Sequence, residues 1–203
     1  TVTDVTVPVI AGCPSNISVN TGAMGCSATA NWTEPTFTDN CTGGTITRSG
    51  PAPGSLFPVG ITPVTYTATD AAGNTSTCSF TVTVVDVTAP SITCPANIVV
   101  NVDAGLCGAM VNYTEPVGID NCAGSITIRT AGPASGSFFP VGPNTVTYEV
   151  TDAYGNTTTC SFTVTVNDNE APTLACPSNI NTTADVGQCS AIVNYPAPVA
   201  TDN

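Results

Sequence analysis

The chain has no lysine and no histidine, and its cations are Arg48 and Arg129 alone. Against them stand 14 acidic residues, for a net charge of −12 over 203 residues. A phosphate-binding surface needs clustered cations, so nucleic acid is excluded as a partner. Anionic membrane surfaces are disfavoured for the same reason. Without histidine or lysine, acid–base work would fall to carboxylates, and no serine has a base beside it in sequence. Glu34 and Glu115 share a Thr-Glu-Pro setting, but the matching stretch further on reads Pro196-Ala197-Pro198. One repeated glutamate does not make a catalytic carboxylate pair. An enzyme is not expected. No apolar run approaches the roughly 20 residues of a membrane-spanning helix, and no signal peptide is present. The sequence begins at Thr1 without methionine. It reads as an interior portion of a longer secreted protein.

Cysteine is abundant by contrast. Ten cysteines occur, with no C-x-x-C pair and no histidine to complete a zinc site. They read as a disulfide framework formed in an oxidising compartment, extracellular or at a cell surface. The chain is 41% hydrophobic and 8% charged, too apolar for disorder and too rich in threonine, proline and glycine for helices. The acidity reads first as solubility of a secreted surface, and second as cation binding.

The chain also repeats itself. Pro8, Pro90 and Pro172 stand 82 residues apart. The cysteines keep nearly the same step: Cys13, Cys94 and Cys176; Cys26, Cys107 and Cys189; Cys41 and Cys122; Cys78 and Cys160. A fixed period of this size means an array of similar units. Residues 1–3 match Thr81-Val82-Thr83 and read as the tail of a preceding repeat. Repeat 1 is then 4–85, repeat 2 is 86–167, and 168–203 is the N-terminal part of repeat 3. By register the next residue would be a cysteine, so the sequence ends in mid-repeat.

Within a repeat the hydrophobic period is two. Val64-Thr65-Tyr66-Thr67-Ala68-Thr69 alternates, as do Phe80-Thr81-Val82-Thr83-Val84 and Phe162-Thr163-Val164-Thr165-Val166. Such alternation predicts strands with one buried face. Gly73-Asn74, Gly155-Asn156, Pro58-Val59-Gly60 and Pro140-Val141-Gly142 punctuate them as turns. About seven short strands per repeat predict an all-β chain of tandem immunoglobulin-like β-sandwiches set end to end. The links, Val85 to Pro90 and Asn167 to Pro172, are short and contain proline, which predicts stiffness between repeats.

Several blocks recur in fixed order. Cys-Pro opens each repeat at Cys13, Cys94 and Cys176. Phe-Pro-Val-Gly follows at Phe57 and Phe139, Tyr-x-x-Thr-Asp-Ala-x-Gly-Asn at Tyr66 and Tyr148, and Cys-Ser-Phe-Thr-Val-Thr-Val at Cys78 and Cys160. Together they resemble the hyalin repeat, or HYR domain. The cysteine set is similar to the four-cysteine form of bacterial surface proteins. The resemblance implies an immunoglobulin-like module of extracellular matrix, adhesion and cell-surface proteins, often in tandem, and brings no catalytic residue.

Four cysteines in a repeat allow three connectivities. Nested pairs are favoured: Cys13–Cys78 with Cys26–Cys41, and Cys94–Cys160 with Cys107–Cys122. Cys176 and Cys189 would pair beyond this chain. Calcium is the one cofactor the acidic links admit. Asn167-Asp168-Asn169-Glu170-Ala171-Pro172 is similar to the calcium-holding links of cadherins, whereas the link at Asp86 carries Val87 and Thr88 in place of acids. Candidate ligands are Asp86, Asp168, Glu170, Asp39 and Asp120, with Asp70 and Asp152 as further loop carboxylates; the bland reading makes them turn acceptors. Asn16, Asn31, Asn40, Asn74, Asn112, Asn156 and Asn181 head Asn-x-Ser/Thr motifs and are glycosylation candidates. Trp32, Tyr113 and Tyr195 align on the second strand, where core packing is preferred over sugar stacking. Arg48 and Arg129 align as solvated strand residues.

The function expected is that of an extracellular structural protein whose stapled repeats form a rod or fibre, with itself as partner. The alternatives are a cell-surface adhesin for glycans or protein, calcium-dependent or not, and a spacer for a separate enzyme domain.

Overall fold

The computed structural model describes residues 2–23 and 25–202. Every regular element among them is a strand. None of the described residues forms a helix long and apolar enough to cross a membrane.

The chain divides into two compact units. The first comprises residues 1–93, 117–128 and 149–159; the second comprises 94–116, 129–148 and 160–203. These units do not follow the 82-residue period. The stretches of repeat 2 that carry Asp120, Cys122 and Asp152 belong with repeat 1.

Repeat 1 holds β1 (Val9–Ala11), β2 (Ile17–Asn20), β3 (Ser27–Thr29), β4 (Thr36–Thr38), β5 (Gly44–Ser49), β6 (Leu56–Pro58), β7 (Gly60–Asp70) and β8 (Thr75–Val85). One sheet has the order β2-β8-β7-β5, and two pairs, β1-β4 and β3-β6, complete the repeat. The long hairpin of β7 and β8 follows directly from the alternating sequence. Val64, Tyr66, Ala68, Phe80, Val82 and Val84 point inward and are buried, while the threonines between them are less so. Val64 stands opposite Phe80 and Tyr66 opposite Cys78. Ala28, Ala30 and Phe57, from β3, the residue just after it, and β6, close the core from the other side. Two apolar faces pressed together in this way are a β-sandwich.

The turn between β7 and β8 is set by a buried aspartate. Asp70 Oδ1 accepts from the amides of Ala72 and Asn74, at 2.9 and 2.8 Å, and Oδ2 accepts from Asn74 Nδ2 at 2.7 Å. Gly73 takes φ 93°, which a side chain would resist. Asp152, Tyr154, Gly155 and Asn156 repeat this arrangement.

In the second repeat, β9 (Ile98–Asn101), β10 (Gly108–Val111), β11 (Ile126–Ala131), β12 (Ser137–Pro140), β13 (Gly142–Thr151) and β14 (Thr157–Asn167) form the sheet β11-β13-β14-β9 and the pair β10-β12. The place of β1-β4 is taken by one bridge, Ser91 to Ile119. Beyond Asn167, β15 (Thr173–Ala175) pairs antiparallel with β16 (Val199–Thr201), in the register of β1 with β4.

The last strand of each repeat also pairs in parallel with its first long one, β8 with β2 and β14 with β9. The side chains of Asn16 and Asn97 extend these ladders by accepting from the amides of Thr81 and Thr163, both at 2.9 Å. This parallel approach brings Cys13 to Cys78 and Cys94 to Cys160, with Cα separations of 5.9 and 5.7 Å, and both pairs are bonded.

Candidate functional site: an acidic, disulfide-linked repeat junction

The most concentrated chemistry in the described residues lies where repeat 1 passes into repeat 2, wholly inside the first compact unit. The chain leaves β8 at Val85, and Asp86 follows at once. Val85 accepts from the Thr21 amide at 2.9 Å, which holds the end of β2 against the link. Asp86 is buried. Its Oδ1 accepts from Thr21 Oγ1 at 2.8 Å and from the Thr88 amide at 3.1 Å. The second repeat contributes Asp120, Asn121 and Cys122. Asp120 Oδ2 accepts from the Cys122 amide at 2.9 Å. Asn121 Nδ2 donates to the carbonyl of Gly25 at 3.2 Å. Beside that contact, Cys26 is bonded to Cys122.

This bond corrects the nested pairing of Cys26 with Cys41 and of Cys107 with Cys122. The reason is the position of the two cysteines in the sandwich. Cys26 lies at the exit of repeat 1, beside the link that follows β8. Cys41 lies at the entrance, where it clusters with Asp4 and Asp39. Cys41 is exposed and carries a thiol, which the hydrogen bond and charge of Asp4 hold above its ordinary value near 9.0. Cys122 occupies the entrance of repeat 2 and meets the exit of repeat 1. Cys107, Cys176 and Cys189 are exposed.

The acidic candidates separate into four sets. Asp86 gathers with Asp120, with ligand atoms within 4.8 Å of one another. Asp39 gathers with Asp4 in the same manner at the entrance of repeat 1. Asp4 is the residue the sequence reading passed over, although the 82-residue step aligns it with Asp86. Among the described residues, Asp168 and Glu170 are not drawn into such a cluster. Asp168 Oδ1 accepts from the Glu170 amide at 3.1 Å, and both Glu170 oxygens face the Gly105 amide at 3.3 Å. Asp70 and Asp152 hold their turns.

Those turns bear on acid stability. The Asn74 side chain, helped by backbone amides against the cost of burial, holds Asp70 below its ordinary value near 3.8. Burial opposes ionisation of Asp152, but the donors of Asn156, Tyr154 and Gly155 win, so its value is also lowered. A folded-state value below the unfolded one means that the stabilisation is complete above the ordinary aspartate range and fades as pH falls through the lowered values. Thermal midpoints are therefore expected to be flat from neutral pH to about pH 4 and to fall below it. The double variant Asp70→Asn, Asp152→Asn should flatten that fall; an unchanged slope would contradict the turn assignment.

The sequon asparagines differ in how their side chains are used. Asn74 Nδ2 donates to Asp70 and also to the carbonyl of Asp4, and Asn156 Nδ2 does the same for Asp152 and Asp86. These two tie each turn to the first residue of its own repeat. Asn16 spends Oδ1 on the ladder, and Asn40 lies beside Asp4 and Asp39. Asn31, Asn112 and Asn181 are exposed.

The aligned aromatics lie off the strands: Trp32 follows β3, Tyr113 follows β10, and Tyr195 stands between β15 and β16. Trp32 packs edge-on against Phe57 and Phe80, at centroid distances of 6.0 and 5.1 Å, and Nε1 donates to Tyr66 Oη at 2.8 Å. Tyr113 makes the same edge contacts with Phe139 and Phe162. Tyr195 is exposed. Arg48 pairs with Glu34, and Arg129 donates to the carbonyl of Gly132, so the two aligned cations differ in partner.

Two consecutive copies of the HYR domain model match the chain, over residues 3–84 and 85–166. The chain belongs to the HYR domain family. Hyalin from Strongylocentrotus purpuratus is 39% identical over 203 residues, which cover 97% of this chain and 17% of that protein. Hyalin from Lytechinus variegatus is 40% identical over 179 residues, covering 85% of this chain and 34% of that protein. The chain thus spans about a third or less of the length of these relatives. Among solved structures, a protocadherin gammaB7 EC3-6 cis-dimer covers 84% of this chain and 54% of its own, with a TM-score of 0.36 and 16% identity. That superposition is too loose to carry function. This HYR chain is an extracellular or cell-surface repeat protein, as its relatives and its disulfides agree.

Proposed function

We propose that this HYR chain is a section of a load-bearing extracellular rod or fibre, non-enzymatic, in which each repeat is covalently tied to the next. The observation that supports this reading is the Cys26–Cys122 bond, which joins the exit of one repeat to the entrance of the following one. Cys13–Cys78 and Cys94–Cys160 close each sandwich on itself. Tension along the chain is then carried past the Val85–Pro90 link by a second covalent path. The rule extends along the array: the third cysteine of a repeat receives the second cysteine of the repeat before it. Cys41 is the position where such a preceding repeat would attach. The third repeat at 168–203, the four-cysteine bacterial surface form, and glycans on the exposed Asn31, Asn112 and Asn181 belong to the same reading.

Electron microscopy of the native secreted material, with and without reductant, tests it. Filaments with an axial repeat of one or two sandwiches are expected, and reduction should loosen the repeat junctions so that the filaments bend more sharply. Monomers or short isolated particles in untreated material would sink the fibre reading and favour an adhesin or a spacer.

A further inference from the structure

Asp86, Asp120 and Asn121 leave buried oxygens that none of the described residues satisfies. Each has one oxygen engaged or one nitrogen donating, as described above, and one oxygen left over. Asp86 Oδ2, Asp120 Oδ1 and Asn121 Oδ1 are all buried and have no hydrogen-bond donor among the described residues. Asp86 is only 4% exposed. Unpaired buried carboxylate oxygens are costly, and two carboxylates drawn together are costlier still. The usual remedy is a cationic side chain. This chain has two, and Arg48 is held by Glu34 while Arg129 is held by the Gly132 carbonyl.

We infer that the leftover oxygens bind a hard divalent cation, of which calcium is the extracellular representative. A calcium ion holds oxygens at about 2.3–2.6 Å, so two ligands of one ion stand up to roughly 5 Å apart. The carboxylates of Asp86 and Asp120 meet that limit, with ligand atoms within 4.8 Å. Cys122 Sγ shares the cluster but is spent on the disulfide to Cys26, so the donor set is oxygen only, as a hard ion requires. Asp120 and Asn121 also line an open cleft with Thr88, Ala89, Ser91 and Ile119. The Cys26–Cys122 bond and the ion would hold the same place by different chemistry. The site rests on the unpaired oxygens and stands whether or not the chain assembles into fibres.

The test is calorimetric titration of the chelator-treated, disulfide-intact chain with calcium chloride, together with its thermal midpoint in calcium and in chelator. Saturable binding and a raised midpoint are expected. Asp120→Asn keeps the acceptor for the Cys122 amide and should weaken binding at least about tenfold. Glu149→Gln removes a charge elsewhere and should change nothing. Carboxyl labelling of the unaltered protein supplies a readout that needs no variant: the half-buried Asp120 should be protected by calcium, and the exposed Asp103 should not. No binding at millimolar calcium, unchanged binding in Asp120→Asn, or equal labelling with and without calcium would each overturn the site.

Discussion

Replacing Cys26 and Cys122 together by serine should remove about 4 kcal/mol of stability from the first compact unit. The two cysteines are 96 residues apart in sequence. The relevant loop is shorter, because the Cys13–Cys78 bond offers a route from Cys26 through 13 residues to Cys13, across, and on through 44 residues to Cys122. A closed loop of roughly 60 residues costs the unfolded chain about 4 kcal/mol of entropy in the loop-closure model. Denaturant titration of wild type and double variant measures the difference. Peptide mapping without reductant checks the connectivity itself. It should recover Cys26 with Cys122; a peptide joining Cys26 to Cys41 would restore the nested pattern and remove the covalent tie between repeats.

Phe57→Ala should cost about 3–5 kcal/mol, the usual range for deleting a buried phenylalanine ring. Phe57 is 0% exposed and lies between the sheet strands β7 and β8 and the edge of Trp32. Its removal leaves a void that rigid neighbours on two sheets cannot close. The adjacent Leu56 is 68% exposed, and Leu56→Ala should fall within about 0.5 kcal/mol of wild type. Trp32 is the single tryptophan, so its emission follows both variants without labelling. Phe57→Ala should shift that emission to longer wavelength before unfolding, since the indole loses one of its two ring contacts. Equal losses for Phe57 and Leu56 would mean that the sandwich is not packed as described.

Much of the fold was legible because it rests on local alternation. Val64 to Thr69 and Phe80 to Val84 place every second residue on one side of a strand, and apolar residues occupy that side. Nothing else in the chain needs to be known to orient them. The Asp-Ala-x-Gly-Asn turn was equally local. Asp70 reaches only four residues to Asn74, and its twin at Asp152 does the same. The candidate site was legible only in its parts. Asp86 and Asp120 stood out as acids near a link, but Asp168 and Glu170 stood out more, and those two accept from backbone amides, Asp168 from Glu170 two residues on and Glu170 from the distant Gly105.

What the amino-acid sequence determined by itself was therefore the repeat, the strands, their buried faces and the oxidising compartment. Each is set by residue type and short-range period. What only the tertiary structure decided was which partner a cysteine takes and which carboxylates meet. Repetition is the physical reason. When every repeat carries the same cysteines at the same step, spacing cannot distinguish a partner in the same repeat from its counterpart in the next. The choice falls to position in the sandwich: Cys26 at the exit of one repeat and Cys122 at the entrance of the next are neighbours in space, while Cys41 faces the opposite end beside Asp4.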